Sequence, residues 1–248
     1  MRRTFLLLSL AVLGAAPAHA WTSPLMEALN RDARKLLPRS LRRLLAERET
    51  QIVEEIRRFP PAVSQALGAD ASACRITPET TAALQAETAA VVELLKKQRL
   101  TEGLVRLGGL LRIPADLSDP VLAVGTEGYL AKIHVVMGDP AALRLEGKGL
   151  PGYWQSLLDR SRDQSELIRT EMIQDGRVVS HKNLDYRSPV YAVASLSYSR
   201  AVNGIAATWL AVWREAHGDT TRTPKPREVE PRDGPPALVL LTPPSEEP

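Results

Sequence analysis

A chain of 248 residues that carries 32 Lys+Arg against 29 Asp+Glu and only two Phe can hold one large domain or two small ones. The near balance of charge predicts no basic face of the kind a nucleic-acid footprint requires. Cys74, the single cysteine, has no intramolecular partner for a structural disulfide. With so few aromatic residues the core must come from Leu, Ala, Val and Ile, which suits packed helices.

Residues 1–20 open with Arg2 and Arg3, continue through an apolar run from Phe5 to Ala16, and end in Ala18-His19-Ala20. That is the layout of a cleavable secretory signal peptide. The run is shorter than the roughly 20 residues that a helix needs to span a bilayer. The expectation is a periplasmic or secreted protein whose mature chain starts at Trp21, with no transmembrane span after cleavage; an uncleaved membrane anchor is the alternative. Cleavage removes two arginines and no acid, which leaves 30 basic residues against 29 acidic ones. Arg39, Arg42 and Arg43, and the pair Arg57-Arg58, then read as solvated helix faces.

In the mature chain, Ser23-Pro24 opens a first helix as cap and first-turn proline, followed by Leu25, Leu29, Ala33, Leu36 and Leu37 at helical spacing. Pro38 starts a second helix that keeps a 3.6-residue period through Leu41, Leu44, Leu45, Ile52, Ile56 and Phe59 and stops at Pro60-Pro61. Thr77-Pro78-Glu79 sets cap, proline and first-turn acid in order for a third long helix, which runs out at Lys96-Lys97. Thr101 begins the next helix, which carries the stretch LGGLLRIPADLSDPVL from Leu107 to Leu122. This stretch predicts close packing through Gly108 and Gly109, a turn at Pro114, and an acidic end at Asp116 and Asp119.

Further helices are expected over Glu127 to Met137, with His134 at an apolar edge, over Pro151 to Ile173, and from Ser188-Pro189 to His217, with Gly218 as C-terminal stop. Arg200, Asn203, Arg214 and Glu215 exclude the last helix as a membrane span. Residues 218–248 are rich in Pro and charge, cannot bury a core, and predict a disordered tail. The run Ala237 to Leu241 within it is too short to cross a membrane.

The frame Arg112, Asp116, Pro120, Leu122, together with Trp21 and the segment LMEALNRDARKLLP, resembles the zinc-dependent phospholipase C family and its relatives, the single-strand-specific zinc nucleases. The central motif of that family is HxxxDxxxxxH. The resemblance extends from Trp21 to His217 and implies a single all-α domain over 21–217, built from packed, mostly antiparallel helices, with the signal peptide at 1–20 and the tail at 218–248. It also implies a zinc cluster held partly by the amino and carbonyl groups of an N-terminal Trp, at Trp21, and by side chains at Met26, Arg112, Asp116 and Leu122. Three of these depart from the family's histidines: Met26, Arg112 and Leu122. A thioether is a poor zinc ligand beside imidazole, and a guanidinium one turn before Asp116 would pair with it and take the place of a cation. Asp116 also reads as an ordinary helix-end residue.

The family's last ligand pair, a His and an acid four residues apart, is incomplete in both frames available, His134 with Gly138 and Gln155 with Asp159. Residual metal or ligand candidates are therefore Trp21, Asp116, His134 and Asp159. No phosphate loop, GxSxG, CxxC or HExxH is present. The resemblance and its departures together imply an exported helical protein that keeps the scaffold without most of its metal ligands. It would be a non-catalytic binding or structural module with no cofactor and an unidentified ligand or partner. The alternative is a phosphodiester hydrolase of phospholipase C or nuclease type that works with a reduced set of zinc ions.

Overall fold

The computed structural model describes residues 21, 23–73, 75–119, 149–174, 177–178 and 189–221. The expected helix over Glu127 to Met137, with Leu122 and His134, lies outside them, as do Cys74, the expected signal peptide and the chain beyond residue 221. The described residues form an all-α domain of nine helices: α1 (Ser23–Arg34), α2 (Arg39–Ala46), α3 (Glu49–Arg58), α4 (Pro61–Ser72), α5 (Pro78–Lys96), α6 (Leu100–Gly109), α7 (Arg112–Leu117), α8 (Gly149–Met172) and α9 (Pro189–Glu215). A two-residue antiparallel ladder, β1 (Ile173–Gln174) with β2 (Arg177–Val178), follows α8 directly.

The core is aliphatic with a few large rings. Leu29, Leu41, Leu45, Ile52, Leu84 and Leu104 are fully buried along with Trp154, Tyr198 and Trp209. The stripe on α9 explains why that helix sits at the centre: Val193, Ala194, Tyr198, Ala201, Val202, Ile205, Trp209 and Val212 are all buried, and α9 packs on α1, α5, α6, α7 and α8. Polar pins fix the layers. Arg34 of α1 donates to Glu49 Oε1 of α3 at 2.7 Å, Arg106 of α6 to Glu87 Oε2 of α5 at 2.9 Å, and the indole of Trp154 on α8 to Thr208 Oγ1 on α9 at 3.2 Å.

Helix α5 forms where its cap predicts: Thr77 Oγ1 accepts from Thr80 N–H at 3.2 Å, and Asp70 Oδ2 in turn accepts from Thr77 N–H at 2.7 Å. Three sequence expectations need correction. The helix expected from Pro38 to Phe59 is two helices, α2 and α3, parted at Glu47-Arg48. The side chain of Arg48 closes the break by donating to the Leu44 carbonyl at 2.8 Å. The stop expected at Pro60-Pro61 is where α3 ends, and the segment after it, for which no element was expected, is a helix, α4, with Pro61 in its first turn.

The bend expected at Pro114 falls earlier, at Leu110-Leu111, between α6 and α7. Proline has no N–H to give to the carbonyl four residues before it and its ring crowds that carbonyl, so Leu110 is where the hydrogen-bond ladder fails. Ile113 N–H takes up the Leu110 carbonyl at 3.1 Å instead, one residue short of an α-helical step.

The third correction is the end of α9. The left-handed residue there is His217, with φ 60°, and not Gly218. Gly218 N–H donates to the Trp213 carbonyl at 2.8 Å and His217 N–H to Arg214 at 2.9 Å, the paired bonds of a Schellman end. Gly218 is needed for space, since a Cβ there would stand 2.1 Å from the Trp213 ring. The chain then runs on against the fold: the Asp219 carbonyl accepts from the Trp213 indole at 2.9 Å and from Ser40 Oγ at 3.2 Å.

Candidate functional site

The site is built around α7, a six-residue helix in which every residue from Arg112 to Leu117 is buried. It is held close by small residues and a proline. Gly204 of α9 approaches so tightly that a Cβ would stand 2.8 Å from Pro114 Cβ, and Ser161 of α8 donates to the Leu117 carbonyl at 2.9 Å.

Arg112 and Asp116 lie one turn apart and meet directly. Arg112 Nη2 and Nε donate to Asp116 Oδ2 at 2.9 and 3.2 Å, and the two side chains are only 7% and 8% exposed. Arg112 Nη2 also donates to Ser64 Oγ of α4 at 3.0 Å. A buried pair of this kind contributes little net stability because both charges lose water, yet leaving either one alone is costly. The guanidinium is therefore locked in place by its carboxylate.

Trp21 is bonded to the same helix. Its indole donates to the Ala115 carbonyl at 2.8 Å, and its ring meets Tyr198 of α9 edge-on, centroids 6.2 Å apart. Tyr198 passes the connection on by donating to Asp32 Oδ2 of α1 at 2.8 Å. Burial holds the Tyr198 hydroxyl well above the usual phenol range, with the Asp32 hydrogen bond and charge adding to the shift and Arg31 opposing it.

Beside Arg112 opens a cavity of about 160 Å³. Trp21, Met26, Val53 and Ile56 give it an apolar lining, and Glu27 and Arg57, both exposed, stand at its edge. Three of the positions singled out in the sequence, Trp21, Met26 and Arg112, thus share one cavity, with Asp116 bonded to Arg112. Asp159 is engaged elsewhere: its Oδ1 accepts from Gln155 Nε2 at 3.0 Å, and Gln155 Oε1 accepts from Ile76 N–H at 3.1 Å ahead of α5. His134 and Leu122 lie outside the described residues.

The donors around the cavity do not fit zinc. The metal takes three or four N, S or O donors of the Cys, His and carboxylate type. Here the described residues offer an indole N–H already bonded to Ala115, the thioether of Met26, the guanidinium groups of Arg57 and Arg112, and two carboxylates, Glu27 at the edge and Asp116 already paired with Arg112. Among the described residues no three His, Cys, Asp or Glu side chains gather closely enough to hold a metal ion.

Ser64, Val53, Ile56 and Arg57 belong to the site without having been singled out for it. Ser64 lies on the inward face of α4, three residues before the buried Leu67 and six before the buried Asp70. That spacing is the signal from which it could have been found. Compared with known proteins, the chain matches no family model, no curated protein and no solved structure.

Proposed function

We propose that this chain is an exported, non-catalytic binding module on a scaffold resembling zinc-dependent phospholipase C, in which an internal ion pair stands where the resemblance would place a metal. The observation that carries the reading is the contact between Arg112 and Asp116 at 2.9 Å, buried from solvent and backed by Ser64. A fixed cation at this point supplies the positive charge that Asp116 needs, and it repels a second cation. In the zinc-dependent mechanism that the resemblance implies, water is activated on a metal with an open coordination position, and an arginine side chain offers none. What remains is a small cleft with an apolar lining and two charged groups at its edge, the usual build of a small-molecule site.

The test is the metal content of the purified protein, measured beside hydrolysis of bis(4-nitrophenyl) phosphate with and without EDTA. The expected outcome is substoichiometric zinc and no EDTA-sensitive turnover. Stoichiometric zinc with turnover that EDTA abolishes would favour the hydrolase with a reduced metal set.

A further inference from the structure

The cavity beside Arg112 carries two opposite charges that do not neutralise each other. Glu27 follows Met26 on α1, and Arg57 follows Ile56 on α3, so two of the four apolar lining residues have a charged neighbour at the cavity edge. Both carboxylate and guanidinium are exposed, and neither forms an ion pair with a described residue. Two uncompensated charges of opposite sign therefore border a small space lined by an indole, a thioether and two branched aliphatic chains.

We infer that this cavity binds a small zwitterion with an apolar body, an α-amino acid with an aliphatic or thioether side chain, its carboxylate on Arg57 and its ammonium on Glu27. The inference rests on the reading of the site as a metal-free binding cleft. An anion alone would answer Arg57 and leave Glu27 repelling it at the cavity edge, and a cation alone would do the reverse. Only a dipolar ligand gains from both, and charge-assisted hydrogen bonds to carboxylate and guanidinium are the stronger kind. The volume, about 160 Å³, equals roughly five waters. That is enough for the side chain of leucine or methionine and too little for a nucleotide. Arg112 closes the inner end, where its charge is already held by Asp116.

The experiment is calorimetric titration of the purified full chain with L-leucine and L-methionine, alongside isocaproate, which lacks the amine, and isoamylamine, which lacks the carboxylate. Saturable one-to-one binding of the amino acids is expected, with Arg57→Gln and Glu27→Gln each weakening it about tenfold or more and each abolishing the preference over one of the two truncated ligands. Arg58→Gln, on the exposed neighbour of Arg57, leaves affinity unchanged. No binding of either amino acid, equal binding of isocaproate or isoamylamine, or full affinity in both edge variants would overturn the inference. Zinc is assayed in the same sample. A metal-free protein that ignores leucine overturns the ligand and leaves the metal-free cleft standing, whereas stoichiometric zinc overturns the cleft reading itself.

Discussion

The indole N–H of Trp21 donates to the carbonyl of Ala115 at 2.8 Å, across 94 positions of sequence. The bond fixes the entry of the chain to the one short helix around which the site is arranged. Trp21→Phe removes the donor and part of the ring. The Ala115 carbonyl also accepts from Ser118 N–H at 3.1 Å, so it is not left bare, and the expected loss is about 1–2 kcal/mol. Urea unfolding with an unchanged slope and a lower midpoint would register it.

The Arg112 and Asp116 pair predicts a non-additive result. Arg112→Met strands a buried carboxylate and Asp116→Leu strands a buried guanidinium, each at a cost of about 3–5 kcal/mol. The double variant removes both charges and recovers most of that loss. Equilibrium unfolding of the four proteins closes the cycle; costs that simply add would show that the two groups act independently.

Gly108 and Gly109 are neighbours with different tolerances. A Cβ on Gly108 would meet Ile52 Cγ2 at 2.5 Å and Cγ1 at 2.6 Å, both on a β-branched side chain fixed in the core. On Gly109 it would meet Glu55 Cγ at 2.8 Å, on a side chain that can swing away. Gly108→Ala should therefore cost about 1–3 kcal/mol by overpacking, and Gly109→Ala clearly less, as read from melting temperatures measured in parallel.

Gln98 and His217 hold φ 59° and 60° at the ends of α5 and α9. In both ends the next residue donates back five positions, Arg99 to Leu94 and Gly218 to Trp213. A side chain in this conformation is strained, and glycine is not. Gln98→Gly is expected to stabilise the protein by up to about 1 kcal/mol, or roughly 2–4 °C in Tm. A fall in Tm would contradict the strain argument.

Tyr198 supplies a pH dependence with a definite sign. Its hydroxyl is held above the ordinary phenol value by burial first and then by Asp32. Above the usual tyrosine pKa of about 10 the unfolded chain gives up this proton while the folded chain keeps it, so stability falls as pH rises. Below that value the contribution is fully present. Tyr198→Phe removes the titrating group, so its stability should decline less than that of the parent between neutral pH and pH values above the phenol range, as followed by urea midpoints.

The helical class and several element starts could be read directly, because cap chemistry and apolar period agree at Thr77-Pro78-Glu79 and along α9. The Arg112 to Asp116 contact was also legible, since four residues is one helical turn. Helix α4 was not, because its inward face carries Ser64 and Asp70 among small residues and lacks a strong apolar period. The break at Leu110-Leu111 was misplaced because a proline acts on the carbonyl four residues upstream and not on its own position. Val53, Ile56 and Arg57 escaped notice as site residues because their role depends on how α1 and α3 lie beside α7, an arrangement that no local pattern encodes.

Helix α9 is the last helix in the described chain and the one against which α1, α5, α6, α7 and α8 all rest. A nascent chain that has emerged only as far as α8 has Trp21 without its Tyr198 partner, Trp154 without Thr208, and Pro114 without the glycine that fits it. Ribosome-stalled chains lacking residues 189–215 should accordingly be open to protease throughout, with protection arriving in a single step once those residues are released. Synthesis and closure of the domain are in this way separated in time, and the chain from α1 to α8 stays in a threadable form until α9 has emerged.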